Sequence, residues 1–259
     1  MSLFFSITFS ASTIENRSLS LFQHGRDADG IIIYDRIEIF PDLKVVWQTA
    51  SKGTHCPDQA GTFIGQVSQE TFAEIFKLAQ TVENDKGVTK STQAPPKSRE
   101  VSTSLTLESG GRIRAITINE FTESMDALNE ELAYLRSTLA PSQGVRMQAV
   151  KVSKGVRVTF SHLGMKPFRL LIPKIAGEAF FLQGKAKISF TGTPKKRNVM
   201  LSRDLTAASY EIKTSLPTHT DKSKKQFLFY SGAALAHHGD AASDGKLPRA
   251  QEVALCAEF

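Results

Sequence analysis

No stretch of this chain approaches the ~20 consecutive apolar residues that a helix needs to cross a bilayer, so the sequence gives no reason to expect a transmembrane helix. Cysteine is nearly missing. The two present, Cys56 and Cys256, belong to no CxxC pair, which removes a structural zinc site built on thiolates. Two cysteines so far apart read most simply as reduced thiols of a cytoplasmic protein, with a bridge between the two halves as the alternative; the count does not decide between them. Nucleotide and hydrolase signatures are also absent: there is no GxSxG, no HExxH and no P-loop. Gly184-Lys185 lacks both the upstream glycine and the following hydroxyl of a Walker motif. No RNP, KH, helix-turn-helix or zinc-finger pattern occurs either. Tyrosine and tryptophan are scarce, at 4 and 1 against 17 phenylalanines, which predicts cores filled by rings without a polar handle.

What the chain does have is a charge divide near Pro141. Residues 1–140 hold 13 Lys and Arg against 18 Asp and Glu, while 141–259 hold 19 against 8. The modest total of +6 therefore conceals an acidic half of −5 and a basic half of +11. Such asymmetry is an argument about partners rather than about fold.

The first half patterns as strands with two helices laid on them. The opening MSLFFSITFSAS lacks a basic flank and alternates Phe and Ile with Ser and Thr, so a β-strand is expected there rather than a secretion signal. Ser6–Ser10 and Leu19–Gln23 are expected to pair as a hairpin. Ile31–Phe40, Leu43–Thr49 and Thr62–Val67 follow as strands. Asp27-Ala28-Asp29-Gly30 reads as a turn, because the later oxygen ligands of a calcium loop are missing.

Ser68 is the expected N-cap of a helix whose face is Phe72, Ile75, Phe76 and Ala79. Residues 84–99 read as a polar loop, and Val101–Leu107 pairs with Arg112–Ile118 across Gly110-Gly111. Thr122 caps a second helix with the stripe Met125, Leu128, Leu132, Leu135 and Leu139. Pro141-Ser142-Gln143-Gly144 then reads as a short linker.

Beyond it helical periodicity disappears. Val156, Val158 and Phe160 alternate with Arg157, Thr159 and Ser161, and Ala186, Ile188 and Phe190 alternate with Lys185, Lys187 and Ser189. Further strands are expected at Val145–Val152, Phe168–Ile172, Val199–Arg203, Tyr210–Thr214, Gln226–Tyr230 and Glu252–Cys256, a spacing that suits an antiparallel sandwich. The expected fold is thus β-rich with two domains. Residues 1–140 form an acidic α+β domain, an antiparallel sheet carrying two amphipathic helices. Residues 145–259 form a basic all-β sandwich.

The cations of the second half fall on strands and in loops: Arg157, Lys185, Lys187, Lys195, Lys196, Arg197, Lys224 and Lys225. Outward lysines also suit the wet face of a sheet and the guarding of edge strands. A merely soluble face mixes signs, however, and that reading leaves unexplained why only eight acids accompany nineteen bases. The expected function is a non-enzymatic binding or assembly protein, cytoplasmic, whose basic sandwich docks an acidic partner or another copy of the chain. Nucleic-acid binding by the same cations is the first alternative. An enzyme or metal protein is the second, with only two starting points. His55-Cys56 places an imidazole beside a thiol in sequence, which is not yet a dyad. His237, His238 and Asp240 offer metal-ligand types at an unspecific spacing. Neither loop is assigned a catalytic or metal-binding role, and no cofactor is expected.

Overall fold

The computed structural model describes residues 16–26, 32–51, 58–85, 88–90, 101–118, 122–153, 155–182, 187–214, 226–236 and 251–259. These form sixteen strands and two α-helices: β1 Arg17–Arg26, β2 Ile32–Ile39, β3 Lys44–Ser51, β4 Gln59–Gln66, α1 Gln69–Glu83, β5 Val88–Lys90, β6 Ser102–Ser109, β7 Arg112–Ile118, α2 Glu123–Thr138, β8 Ala140–Val152, β9 Gly155–Gly164, β10 Phe168–Leu171, β11 Phe180–Leu182, β12 Ile188–Phe190, β13 Asn198–Leu201, β14 Ala207–Thr214, β15 Phe227–Ala236 and β16 Gln251–Glu258. The protein is strand-rich, and its sheets are antiparallel.

Both helices begin where their caps require. Ser68 Oγ accepts the N–H of Thr71 at 3.1 Å, and Thr122 Oγ1 accepts that of Met125 at 3.3 Å, each satisfying a donor the first turn leaves open. Each helix then buries one stripe: Phe72, Ile75, Phe76 and Ala79 from α1, and Met125, Leu128, Leu132 and Leu135 from α2. These pack on Leu19, Leu21, Ile37, Ile39, Val45, Phe63, Leu105 and Leu107, one face of the sheet made by the first half.

That sheet does not stop at residue 140. Its order is β12-β14-β9-β8-β4-β3-β2-β1-β6-β7-β5, eleven strands drawn from both halves. Pro141–Gly144, expected as a linker, lies inside β8, which pairs with β4 and with β9. The ladder shifts register between Thr62 and Phe63, opposite Pro141. A residue without an N–H is tolerated at such a bulge, so the proline does not break the strand.

The second half carries its own core on the other face. Val145, Met147, Val158, Phe160, Tyr210 and Ile212 of the long sheet pack against Phe168, Leu170, Val199, Leu201, Leu228, Tyr230, Val253 and Leu255. The latter belong to a five-stranded sheet, β11-β15-β10-β13 with β16 beside β15. Along β9 the two faces separate cleanly: Phe160 points into this core, and Leu163 packs against the helix-side core.

The abundance of phenylalanine is used here. Phe160 lies 5.0 Å from Tyr230, 6.2 Å from Tyr210 and 6.3 Å from Phe180, in edge-on or tilted geometries that suit ring quadrupoles. Tyr230 carries the polar handle inward, donating to the carbonyl of Leu171 at 3.3 Å. Burial, with Tyr210 nearby, pushes its phenol well above the ordinary value.

Three further expectations change. Both edges of β1 are occupied, one by β2 and the other by β6, so Leu19–Gln23 offers no edge to a Ser6–Ser10 hairpin; Ser6–Ser10 itself lies outside the described residues. A short strand, β5, occurs within the segment read as a polar loop. Cys256 is fully buried and disulfide-bonded, not a reduced thiol. Cys56, the chain's other cysteine, lies outside the described residues.

Candidate basic docking site

Strand β12 is short for a chemical reason. Phe190 is followed by Thr191-Gly192-Thr193-Pro194, where Gly192 takes φ +82° and Pro194 has no N–H for a ladder. The chain therefore leaves the long sheet after three residues, crosses through 191–197, and enters the second sheet as β13.

Lys195, Lys196 and Arg197 occupy this crossing, and all three are exposed. Their backbone is held from beneath. The phenol of Tyr210 donates to the Lys196 carbonyl at 2.8 Å, and the N–H of Ile172 donates to the Arg197 carbonyl at 2.7 Å. Val199 and Leu201, next along the chain, are buried in the core and anchor the crossing. With the main chain pinned inward, three consecutive cationic side chains project outward. None of them forms an ion pair with a described residue. Partial burial pushes the Tyr210 phenol up to about 12, so it stays protonated and able to donate at neutral pH.

Between the crossing and β14 lies a groove of about 530 Å³. Phe190, Leu205, Ala208 and Tyr210 contribute apolar surface, while Thr191, Lys195, Lys196, Ser209 and Glu211 contribute polar groups. Glu211 is engaged by Arg157 across the strands, with Oε1 3.2 Å from Nε and 2.7 Å from Nη2. Both partners are about half exposed, so the pair contributes little stability. It nevertheless removes the one carboxylate among the described lining residues from competition with an incoming anion.

The structure sorts the eight expected residues into unequal groups. Lys195, Lys196 and Arg197 come together. Lys187 is exposed at the other end of β12, away from the crossing. Arg157, expected as a free cation, is neutralised by Glu211. Lys185, Lys224 and Lys225 lie outside the described residues, as do His55, Cys56, His237, His238 and Asp240. Among the described residues no group of three or more His, Cys, Asp and Glu side chains is placed to hold a metal ion. No described helix is long and apolar enough to cross a membrane, which says nothing about crossing by strands.

Charge patterning alone missed the groove and the role of Tyr210. The available signal was the Gly192/Pro194 pair, which marks where a strand must end beside a longer neighbour. No protein-family model matches the chain, and no curated protein matches it.

Proposed function

We propose that this chain is a non-enzymatic binding or assembly protein whose basic second half docks an acidic partner, with Lys195, Lys196 and Arg197 at the contact. In this reading residues 1–140 serve as an acidic α+β domain and 145–259 as a basic β-sandwich domain, joined through the shared sheet. One observation carries the proposal. Three adjacent cations stand exposed, with no ion-pair partner among the described residues, on a backbone held by two hydrogen bonds from Tyr210 and Ile172. Fixed cations of this kind steer a complementary anionic surface and set its register more than they add raw affinity. A bridged Cys256 weighs against a cytoplasmic placement, because disulfides persist in oxidising compartments.

The triple variant Lys195→Glu, Lys196→Glu, Arg197→Glu tests it. The three side chains are exposed, so the thermal midpoint should hold within a few degrees. Binding of a fluorescein-labelled poly-glutamate peptide, read by anisotropy in low salt, should weaken at least tenfold, and wild-type binding should fall as salt rises. Unchanged affinity in the variant refutes the site. Tighter binding of single-stranded oligonucleotide than of peptide, lost in the same variant, replaces the acidic-partner reading with nucleic-acid binding.

A further inference from the structure

The ladder between β12 and β14 covers only Ile212–Thr214. One more bond follows, from the N–H of Thr191 to the carbonyl of Glu211 at 2.9 Å. N-terminal to Glu211 no described strand pairs with β14 on this side, although β14 continues to Ala207 and stays paired with β9 on the other. Main-chain groups alternate in direction along a strand. Glu211 faces the β12 edge, so the N–H and C=O of Ser209 and Ala207 face it too. This edge, unpaired among the described residues from Ala207 to Tyr210, is one wall of the groove, whose lining runs through Ala207–Glu211 on one side and Thr191–Lys196 on the other.

We propose that the groove takes an extended acidic segment of a partner by strand addition to the open edge of β14. The proposal rests on the acidic-partner reading above and names the form in which the partner binds. An unpaired edge is a template for another strand: main-chain bonds supply affinity, and alternate side chains supply specificity. The four unpaired residues Ala207–Tyr210 span about 13 Å at strand rise, enough for a segment of about that many residues. Alternate positions of the guest then meet different chemistry. One set faces Phe190 and Leu205 and suits small apolar side chains. The other faces Lys195 and Lys196 and suits carboxylates. Arg157 holds Glu211 in its ion pair, so among its described lining residues the groove presents no unpaired carboxylate to repel the guest. The occupant is therefore a strand-forming segment in which acidic and small apolar residues alternate.

The probe is a short fluorescein-labelled peptide of alternating Glu and Val, titrated with the full chain. Two modified peptides accompany it, one N-methylated at every Glu and one at every Val, which removes main-chain donors without changing charge. The expected result is binding of the parent peptide, with a loss of tenfold or more for at least one methylated form. The triple charge reversal should abolish binding of all three. Equal binding of parent and both methylated peptides, still lost on charge reversal, overturns strand addition and leaves acidic docking standing. No binding by any peptide at low salt overturns both. Because the modification lies in the peptide, a folding defect in the protein cannot imitate the expected result.

Discussion

Arg136→Met is expected to cost about 3–5 kcal/mol of stability, the range for removing one partner of a buried ion pair. Arg136 reaches from the last turn of α2 to Asp35 on β2, with Nη2 2.7 Å from Oδ2. The other carboxylate oxygen accepts the indole N–H of Trp47 at 2.6 Å, and the guanidinium carbon lies 5.8 Å from the centre of the Trp47 ring. Asp35 is 2% exposed and Arg136 is 8% exposed. Burial disfavours the charged guanidinium, and the Asp35 carboxylate only partly restores it. The pair thus survives because each ion compensates the other, and α2 is fixed to the sheet by that mutual need. Methionine fills similar volume but strands the Asp35 charge in an apolar site. Replacing both, Asp35→Leu with Arg136→Met, should recover most of the loss, since an apolar pair of similar size often matches a buried ion pair. Urea unfolding of the single and double variants checks this. A single variant that loses under about 1 kcal/mol, the range of an exposed pair, contradicts it.

Gly61→Ala is expected to cost roughly 2–5 kcal/mol, combining backbone strain of order 1–3 with an overpacking cost of similar size. Gly61 takes φ +149°, where a side chain is strained. A β-carbon there would also sit 2.1 Å from the Gln143 carbonyl oxygen and 2.5 Å from the α-carbon of Gly144. Both obstacles are main chain, so no rotamer change relieves them. Gly61 pairs with Gly144 where β4 meets β8, which is where the sheet of the first half passes into that of the second. Damage should therefore be local. Amide exchange in β4 and the first part of β8 should accelerate first, while Leu128 and Leu132 in the helix-side core stay protected. A variant with wild-type urea midpoint and unchanged exchange at Ala60–Ile64 would contradict the close approach.

Much of this architecture was legible because it rests on local chemistry. Ser68 and Thr122 announced their helices through capping side chains, and the stripes behind them buried as periodicity required. Gly110-Gly111 marked the β6–β7 hairpin, where both residues take positive φ. The join between halves was not legible, for a reason visible in β8. Pro141, Ser142, Gln143 and Gly144 have the composition of a linker, yet a bulge needs a proline-tolerant position and a close backbone crossing needs a glycine. The same residues serve either end, and only pairing with β4 decides between them. Phe180–Leu182 was missed because three residues carry too little period to be seen.

For the candidate site, the sequence named the cations but not their grouping. Alternation placed Arg157 outward correctly, and nothing local disclosed that Glu211 would stand opposite it fifty-four residues later. Lys195-Lys196-Arg197 stayed together because adjacency in the chain guarantees it. What the sequence could not supply was the wall facing them. That wall depends on β12 ending early while β14 runs on, a mismatch between strands rather than a property of either.

Zero-length carbodiimide cross-linking of the wild-type protein to the Glu/Val peptide tests the central claim most directly, because it joins a carboxylate only to an amine in contact. Peptide mapping by mass spectrometry should place the adducts on Lys195 and Lys196, with Lys44, Lys77 and Lys151 unmodified although they too are exposed. Adducts spread over those distant lysines, with none at the crossing, would contradict a docking site there.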